Sequence, residues 1–397
     1  MKRHKLSLLS LTFIFFLFQN CGEGFETDIG SIESGSLSAP PAPAPSPAPV
    51  PTPPPAPSPV PTGQFVDVFM ATGHMARTVM SCDDGLSWIN DRSENDAARC
   101  WAPVSDPNYV ECDHTPYSGR GIDSGDGWFF TNYGWGYNGS VRKSRDGINW
   151  EIIKTGGWGD GVAYANNVLF SAWGQWSTSL DLGANWSLIQ NSPFQSLSHP
   201  KTRRLGDRIF MFGRTGGMVF SNDQGLTWTK PVFDSSWGPE IAEGNGILLS
   251  VGYFFGHPNE SVGYIARSLD NGYTWQAQEV FRKLGQSFVG AVYFTNNKFI
   301  TWSSGEAWTS FDGVTWAKQP VSLDKGVPQQ FRGPVGYNPN TGTFVASPAP
   351  FGQSYTQQMM LRSTDGVNWK VLDSNQFKRG HPIERITSGK MDKAYCL

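Results

Sequence analysis

Charge is scarce in this chain. Only 16% of its 397 residues are Asp, Glu, Lys or Arg, and they nearly cancel to a net charge of −3. That balance builds no polybasic surface, so nucleic acid is excluded as the expected partner. Cysteine is limited to five residues. No two of them have C-x₂₋₄-C spacing, which argues against a zinc site and leaves the expected metal set at none. No motif calls for a cofactor. Long hydrophobic runs are also missing. The one apolar stretch, Leu6–Phe18, is too short to span a bilayer comfortably. What is abundant is Gly, Trp and Phe, at 45, 16 and 26 residues. Many short strands joined by tight turns fit that composition.

The N-terminus reads as a targeting segment. Lys2, Arg3 and Lys5 precede Leu6–Phe18, and "FQNC" ends at Cys21 followed by Gly22. This arrangement resembles a bacterial lipoprotein signal, with residues 1–20 removed and Cys21 lipidated. The resemblance implies an exported protein held to the membrane by lipid only. Gly22 in the sorting position implies the outer membrane or cell surface of a Gram-negative bacterium. Residues 21–63 read as a linker, first Gly/Ser-rich and then, over Ala39–Thr62, nearly all Pro, Ala, Ser and Val. Such a stretch has no core to bury and favours polyproline II, a semi-rigid spacer.

Residues 64–397 carry one motif seven times, at Ser81, Ser144, Ser179, Ser221, Ser268, Ser310 and Ser363. Four copies read S-x-D-x-G-x-x-W, as in "SNDQGLTW"; three omit the residue between Asp and Gly, as in "SRDGINW". The motif resembles the Asp-box, or BNR, repeat of sialidase-like β-propellers. A short Asp can bind the N–H groups of its own turn, Gly can take positive φ, and Trp is a large plate for packing. Asp83, Asp146, Asp181, Asp223, Asp270, Asp312 and Asp365 are therefore expected to hold turns, not to do chemistry. Their carboxylates are too sparse for a calcium loop.

Between motifs the pattern predicts three strands, A, B and C, with D after the Trp. "GVAYANN", "VLFSAWG" and "WSTSLD" are one such set. The expected fold is all-β, a seven-bladed β-propeller. Only strands B and C precede the first motif, as "QFVDVFMATG" and "RTVMSCD". "IERITSG", Ile383 to Gly389, is then expected to be the strand A that completes blade 1 and closes the ring. Setting Cys21 aside, four cysteines allow three pairings. Cys100 and Cys112 share one insertion, so a local bridge is expected there, leaving Cys82 to join Cys396.

The strand phase sorts the loops. C–D and A–B turns share one face; B–C and D–A loops share the other. The second face is rich in aromatic residues, suited to stacking on sugar rings. Its candidate ligand residues are Tyr133, Trp135, Tyr137, Trp173, Trp176, Tyr253, His257, Trp302 and Trp308. Arg120, Arg203, Arg332 and Arg385, near the starts of strand A, are candidates to grip an anionic group. Sialidases use an Arg cluster in this way, but this chain has no "FRIP"-like segment before the first motif. Asp160, Glu240, Glu260 and Glu306 are the acids available to a hydrolase, and sequence pairs none of them. The expected function is non-catalytic binding of a glycan or other extracellular ligand. A sialidase-like glycoside hydrolase and a protein-binding scaffold are the alternatives.

Overall fold

The computed structural model describes residues 63–73, 76–92, 118–134, 139–155, 161–172, 175–190, 201–213, 217–233, 240–252, 264–278, 291–303, 305–325, 334–347, 360–372 and 383–396. All belong to the unit Ser58–Leu397. Cys21, the Pro/Ala-rich stretch, Cys100 and Cys112 lie outside them.

Seven sheets follow one another, one per motif, as blades of a β-propeller, antiparallel but for one short added strand in each of two. Blade 2 is representative, with strands Ser118–Gly125, Trp128–Gly134, Ser140–Ser144 and Glu151–Thr155 in order A to D. Blade 1 is assembled from both chain ends. Its strand A is Ile383–Asp392, paired antiparallel with strand B, Phe65–Gly73, from Phe65↔Asp392 to Gly73↔Ile383. The closing strand expected from "IERITSG" is thus present and runs three residues further. It leads into a 3₁₀ turn, Lys393–Cys396, where Cys396 forms a disulfide with Cys82 across a sequence separation of 314.

One expectation is corrected. Blade 4 has three strands, Lys201–Leu205, Arg208–Phe212 and Met218–Ser221. Its strand D is reduced to a single bridge, Phe220↔Thr229. Pro231 follows at once and has no N–H to continue a ladder. The chain instead crosses to blade 5, where Val232–Phe233 pairs parallel with strand D, Thr274–Gln278. Ser322–Leu323, after Pro320 of blade 6, pairs in the same way with blade 7 strand Asn368–Val371.

The apolar core is divided among the gaps between blades. Phe69 and Ala71 pack toward blade 7 with Val345 and Met360. Val68 and Met70, on the other face of the same strand, pack toward blade 2 with Phe129. Blade 6 repeats this, with Phe299 facing blade 5 and Ile300 and Trp302 facing blade 7. A strand B buried on both faces must be apolar throughout. That is why these strands read as continuous hydrophobic runs and not as alternating ones.

The repeated turns are built from their own side chains. Ser221 Oγ donates to Asp223 Oδ1 at 2.7 Å and accepts the Gly225 N–H at 2.7 Å. Asp223 Oδ1 accepts the Thr227 N–H at 2.8 Å, and Oδ2 accepts the Thr227 hydroxyl at 2.6 Å. The Ser–Asp bond recurs in all seven copies. The two motif lengths differ by one left-handed residue. Long turns place both Gln224 (φ 57°) and Gly225 (φ 92°) there; short turns need only a residue such as Gly147 (φ 69°). The indole of Trp228 donates to Gly225 O at 3.0 Å, whereas Trp186 reaches into blade 2 and donates to Ile153 O at 3.0 Å.

Candidate functional site

The innermost strands carry a belt of polar side chains that passes from blade to blade around the channel. Ser124 Oγ of blade 2 donates to Ser388 O of blade 1 at 2.8 Å. Ser388 Oγ donates to Tyr337 O of blade 7 at 2.7 Å. Tyr337 OH donates to Thr295 Oγ1 of blade 6 at 2.8 Å, and Tyr293 OH of blade 6 donates to Val335 O of blade 7. On the opposite side, Arg203 of blade 4 grips Glu240 of blade 5 through two parallel bonds, Nε–Oε2 at 2.7 Å and Nη2–Oε1. Its neighbour Arg204 turns the other way and reaches Asp123 of blade 2 at 2.7 and 3.0 Å. The Tyr164 N–H of blade 3 joins the same carboxylate at 2.8 Å. Successive residues of one strand face opposite neighbours, so the paired arginines of "KTRRL" serve two different blades.

Two groups of this belt, Glu240 and Tyr293, have shifted titrations. Burial pushes the Glu240 carboxyl up, but Arg203, then Lys201 and Arg385, outweigh it and keep the group below the usual carboxylate value. Burial raises the Tyr293 phenol, and the Glu240 charge raises it further. Glu240 is thus held ionised and Tyr293 neutral. A general acid needs the reverse for a carboxyl, and a phenol nucleophile needs a lowered pKa. Of the other acids named from sequence, Glu306 is paired across its hairpin with Lys318 at 2.8 Å. Asp160 and Glu260 lie outside the described residues.

The structure places the expected aromatic ligands unevenly. Trp135, Tyr137, Trp173, Tyr253 and His257 lie outside the described residues, as does Arg332. Four others are corrected: Tyr133 is 1% exposed, Trp176 9%, Trp302 1% and Trp308 2%. Trp176, Trp302 and Trp308 belong to the gaps between blades, and Tyr133 is buried within its own blade. Trp302 packs edge-on to Phe344 and Trp369, and its indole N–H donates to Gly366 O at 2.7 Å. Trp308 packs into the core shared with blade 5. The register explains the error. Ser303 pairs with Glu306, so the B–C loop of blade 6 is a two-residue hairpin and both tryptophans fall inside strands. Trp176 lies between Phe170 and Trp228, with ring centroids 6.1 and 5.1 Å away. Tyr133 carries Arg142 over its ring at 5.0 Å.

Of the four expected arginines, Arg203 and Arg385 both act on the Glu240 carboxylate. Arg203 is engaged by Glu240, and Arg385, on the closing strand, donates to Glu384 O at 2.6 Å. Arg120 falls at a register shift in the first strand of blade 2. Sequence reading did not pair Arg204 with Asp123, two blades away. The doubled arginine of "KTRRL" was the available signal.

No family model matches the chain. Among curated proteins, it is 27% identical over 160 residues to the xyloglucanase Xgh74A of Acetivibrio thermocellus, a match covering 38% of this chain and 16% of the xyloglucanase. Among solved structures, it resembles the GH74 xyloglucanase of Xanthomonas campestris with a TM-score of 0.52 at 13% identity, over 76% of this chain and 52% of that one. The GH74 enzyme of Niastella koreensis gives a TM-score of 0.52 at 15% identity, over 77% and 52% of the two chains. The chain spans about half the length of these solved enzymes and about a sixth of the curated relative. At these identities the likeness to the solved structures is one of fold.

Proposed function

We propose that this chain is an exported, lipid-anchored propeller of the Asp-box type that binds a glycan without cleaving it. The contacts are assigned to the aromatic B–C and D–A loops, through Trp135, Tyr137, Trp173, Tyr253 and His257. The supporting observation is the 160-residue match to a xyloglucanase. It occurs on a chain whose described candidate acids, Glu240 and Glu306, are both tied to cations. A branched β-glucan such as xyloglucan is the ligand to try first. Gel retardation on xyloglucan, run beside a reducing-end assay, tests both halves. Retardation without release of reducing ends is expected. Trp135→Ala and Trp173→Ala are expected to weaken it about ten-fold each. Cys21→Ser should release the protein from the membrane fraction and leave retardation intact. Reducing ends that disappear in Glu306→Gln would establish a hydrolase instead, the reading favoured by the relative's activity. If no glycan retards the chain, binding passes to a protein partner.

A further inference from the structure

The face that carries the Ser–Asp turns has a feature of its own. The A–B turns of blades 2, 3 and 4 stand together there, around Asp126, Asn166–Asn167 and Gly206–Asp207. Between them is an open cavity of about 380 Å³, whose lining includes Ser124, Asp126, Tyr164, Asn166, Arg204 and Asp207.

Its parts are fixed from below. Arg204, on the floor, is held by Asp123, by Ser124 O at 3.1 Å and by Gly206 O at 3.2 Å. Tyr164 OH donates to Asp126 Oδ2 at 2.7 Å. Gly125 makes this contact possible, because a Cβ there would sit 2.4 Å from the Tyr164 ring. One face of that ring is covered by Phe130, at a centroid distance of 4.8 Å. Asp126, Asn166 and Asn167 all have left-handed backbones, with φ of 51°, 46° and 62°, which confines each turn to one shape.

The lining selects by chemistry. Carboxylates at the rim, Asp126 and Asp207, oppose an anion. Among the described residues no group of three or more His, Cys, Asp or Glu side chains gathers to hold a metal ion. Polar groups on every turn give little for an apolar ligand to replace. An uncharged ligand with neighbouring hydroxyls meets none of these objections. Carboxylates accept from its hydroxyls, and Asn amides both accept and donate. The volume lies near the lower end of the range for small-molecule sites, about 300–1,000 Å³, and suits about one or two sugar rings.

We infer that this cavity is a second ligand site, taking a neutral polyhydroxylated unit such as a sugar ring, on the face opposite the aromatic loops. The site stands without the glycan reading above. Only its consequence, a propeller able to engage glycan on two faces, rests on that reading.

Saturation-transfer NMR on the full chain tests it, with glucose, galactose, xylose, mannose and cellobiose as probes. At least one sugar is expected to bind, at least ten-fold more weakly to Asp207→Ala and to Asn166→Gly. A Trp135→Ala/Trp173→Ala background removes any contribution of the aromatic loops to the signal, and the loss in the two turn variants is expected to persist there. Hydrogen exchange should slow at residues 125–127, 165–168 and 205–207 when the sugar is added. This second readout needs no variant. The inference is overturned if no probe binds, if the sugar does not protect these turns, if that protection survives both turn variants, or if calcium alone protects them.

Discussion

Asp223 has both carboxylate oxygens engaged inside its own turn, by Ser221 and by the N–H and hydroxyl of Thr227. At this scale the fold is held by short polar side chains substituting for backbone partners. Asp223→Ala should cost about 1–2 kcal/mol, read from denaturant melts. The same bonds set an acid limit. Hydrogen bonds from Asn185 lower Asp181 to about 2, and those from the backbone of Thr315 and Val314 lower Asp312 to about 2. A depressed folded pKa stabilises above the unfolded value and loses that contribution as pH falls through the folded one. Denaturation midpoints should therefore fall between about pH 4 and pH 2, and less steeply in Asp312→Asn. Equal slopes would remove these turns as the cause. The turns were legible in the sequence because motif and bonding partners all lie within eight residues. The fates of Trp302 and Trp308 were not. Nothing local distinguishes a tryptophan at the end of a strand from one in a two-residue loop, and cross-strand register decides which it is.

Strands show a different logic. Their side chains alternate between two neighbours that are both protein, so the usual contrast of inside and outside is lost. Strand positions could be read from phase, but exposure could not. Blade 4 marks the limit of that phase: a proline just beyond the turn outweighed the repeat. Lys154, on the last strand of blade 2, shows how one edge meets the next blade. It donates to Ser177 Oγ at 2.5 Å and Gln175 O at 3.2 Å, with the Trp186 ring 4.9 Å away. Burial lowers its ammonium to about 8. Between about pH 8 and the ordinary lysine value the unfolded chain holds the extra proton, so stability rises with pH across that window. Tyr164 and Tyr293, whose phenols are raised, act in the opposite sense above about pH 10. A rise in midpoint between pH 8 and 10 that flattens in Lys154→Met would establish the contact. An unchanged slope would rule Lys154 out.

At the scale of the whole molecule, the blade count, the closing strand and the division into two faces were all legible, because seven copies of one motif fix them together. The polar belt around the channel was not. Its partners come from blades distant in sequence, as Arg204 and Asp123 do, and no local pattern pairs them. The Cys82–Cys396 disulfide fastens the closing strand to the first repeated turn. Reducing it, or Cys396→Ser, should lower unfolding free energy by about 5 kcal/mol in the chain-entropy model, checked by denaturant titration with and without reductant. A loss well under about 1 kcal/mol would mean that the strand pairing alone closes the ring.

The shared blade also orders events in time. Phe65–Gly73 is synthesised long before Ile383–Asp392, its partner, and every other blade lies between them. Until the last strand arrives, the first blade presents an unpaired apolar edge of the kind that recruits foreign strands. Safe maturation of this protein is therefore a race between arrival of its final strand and capture of its first.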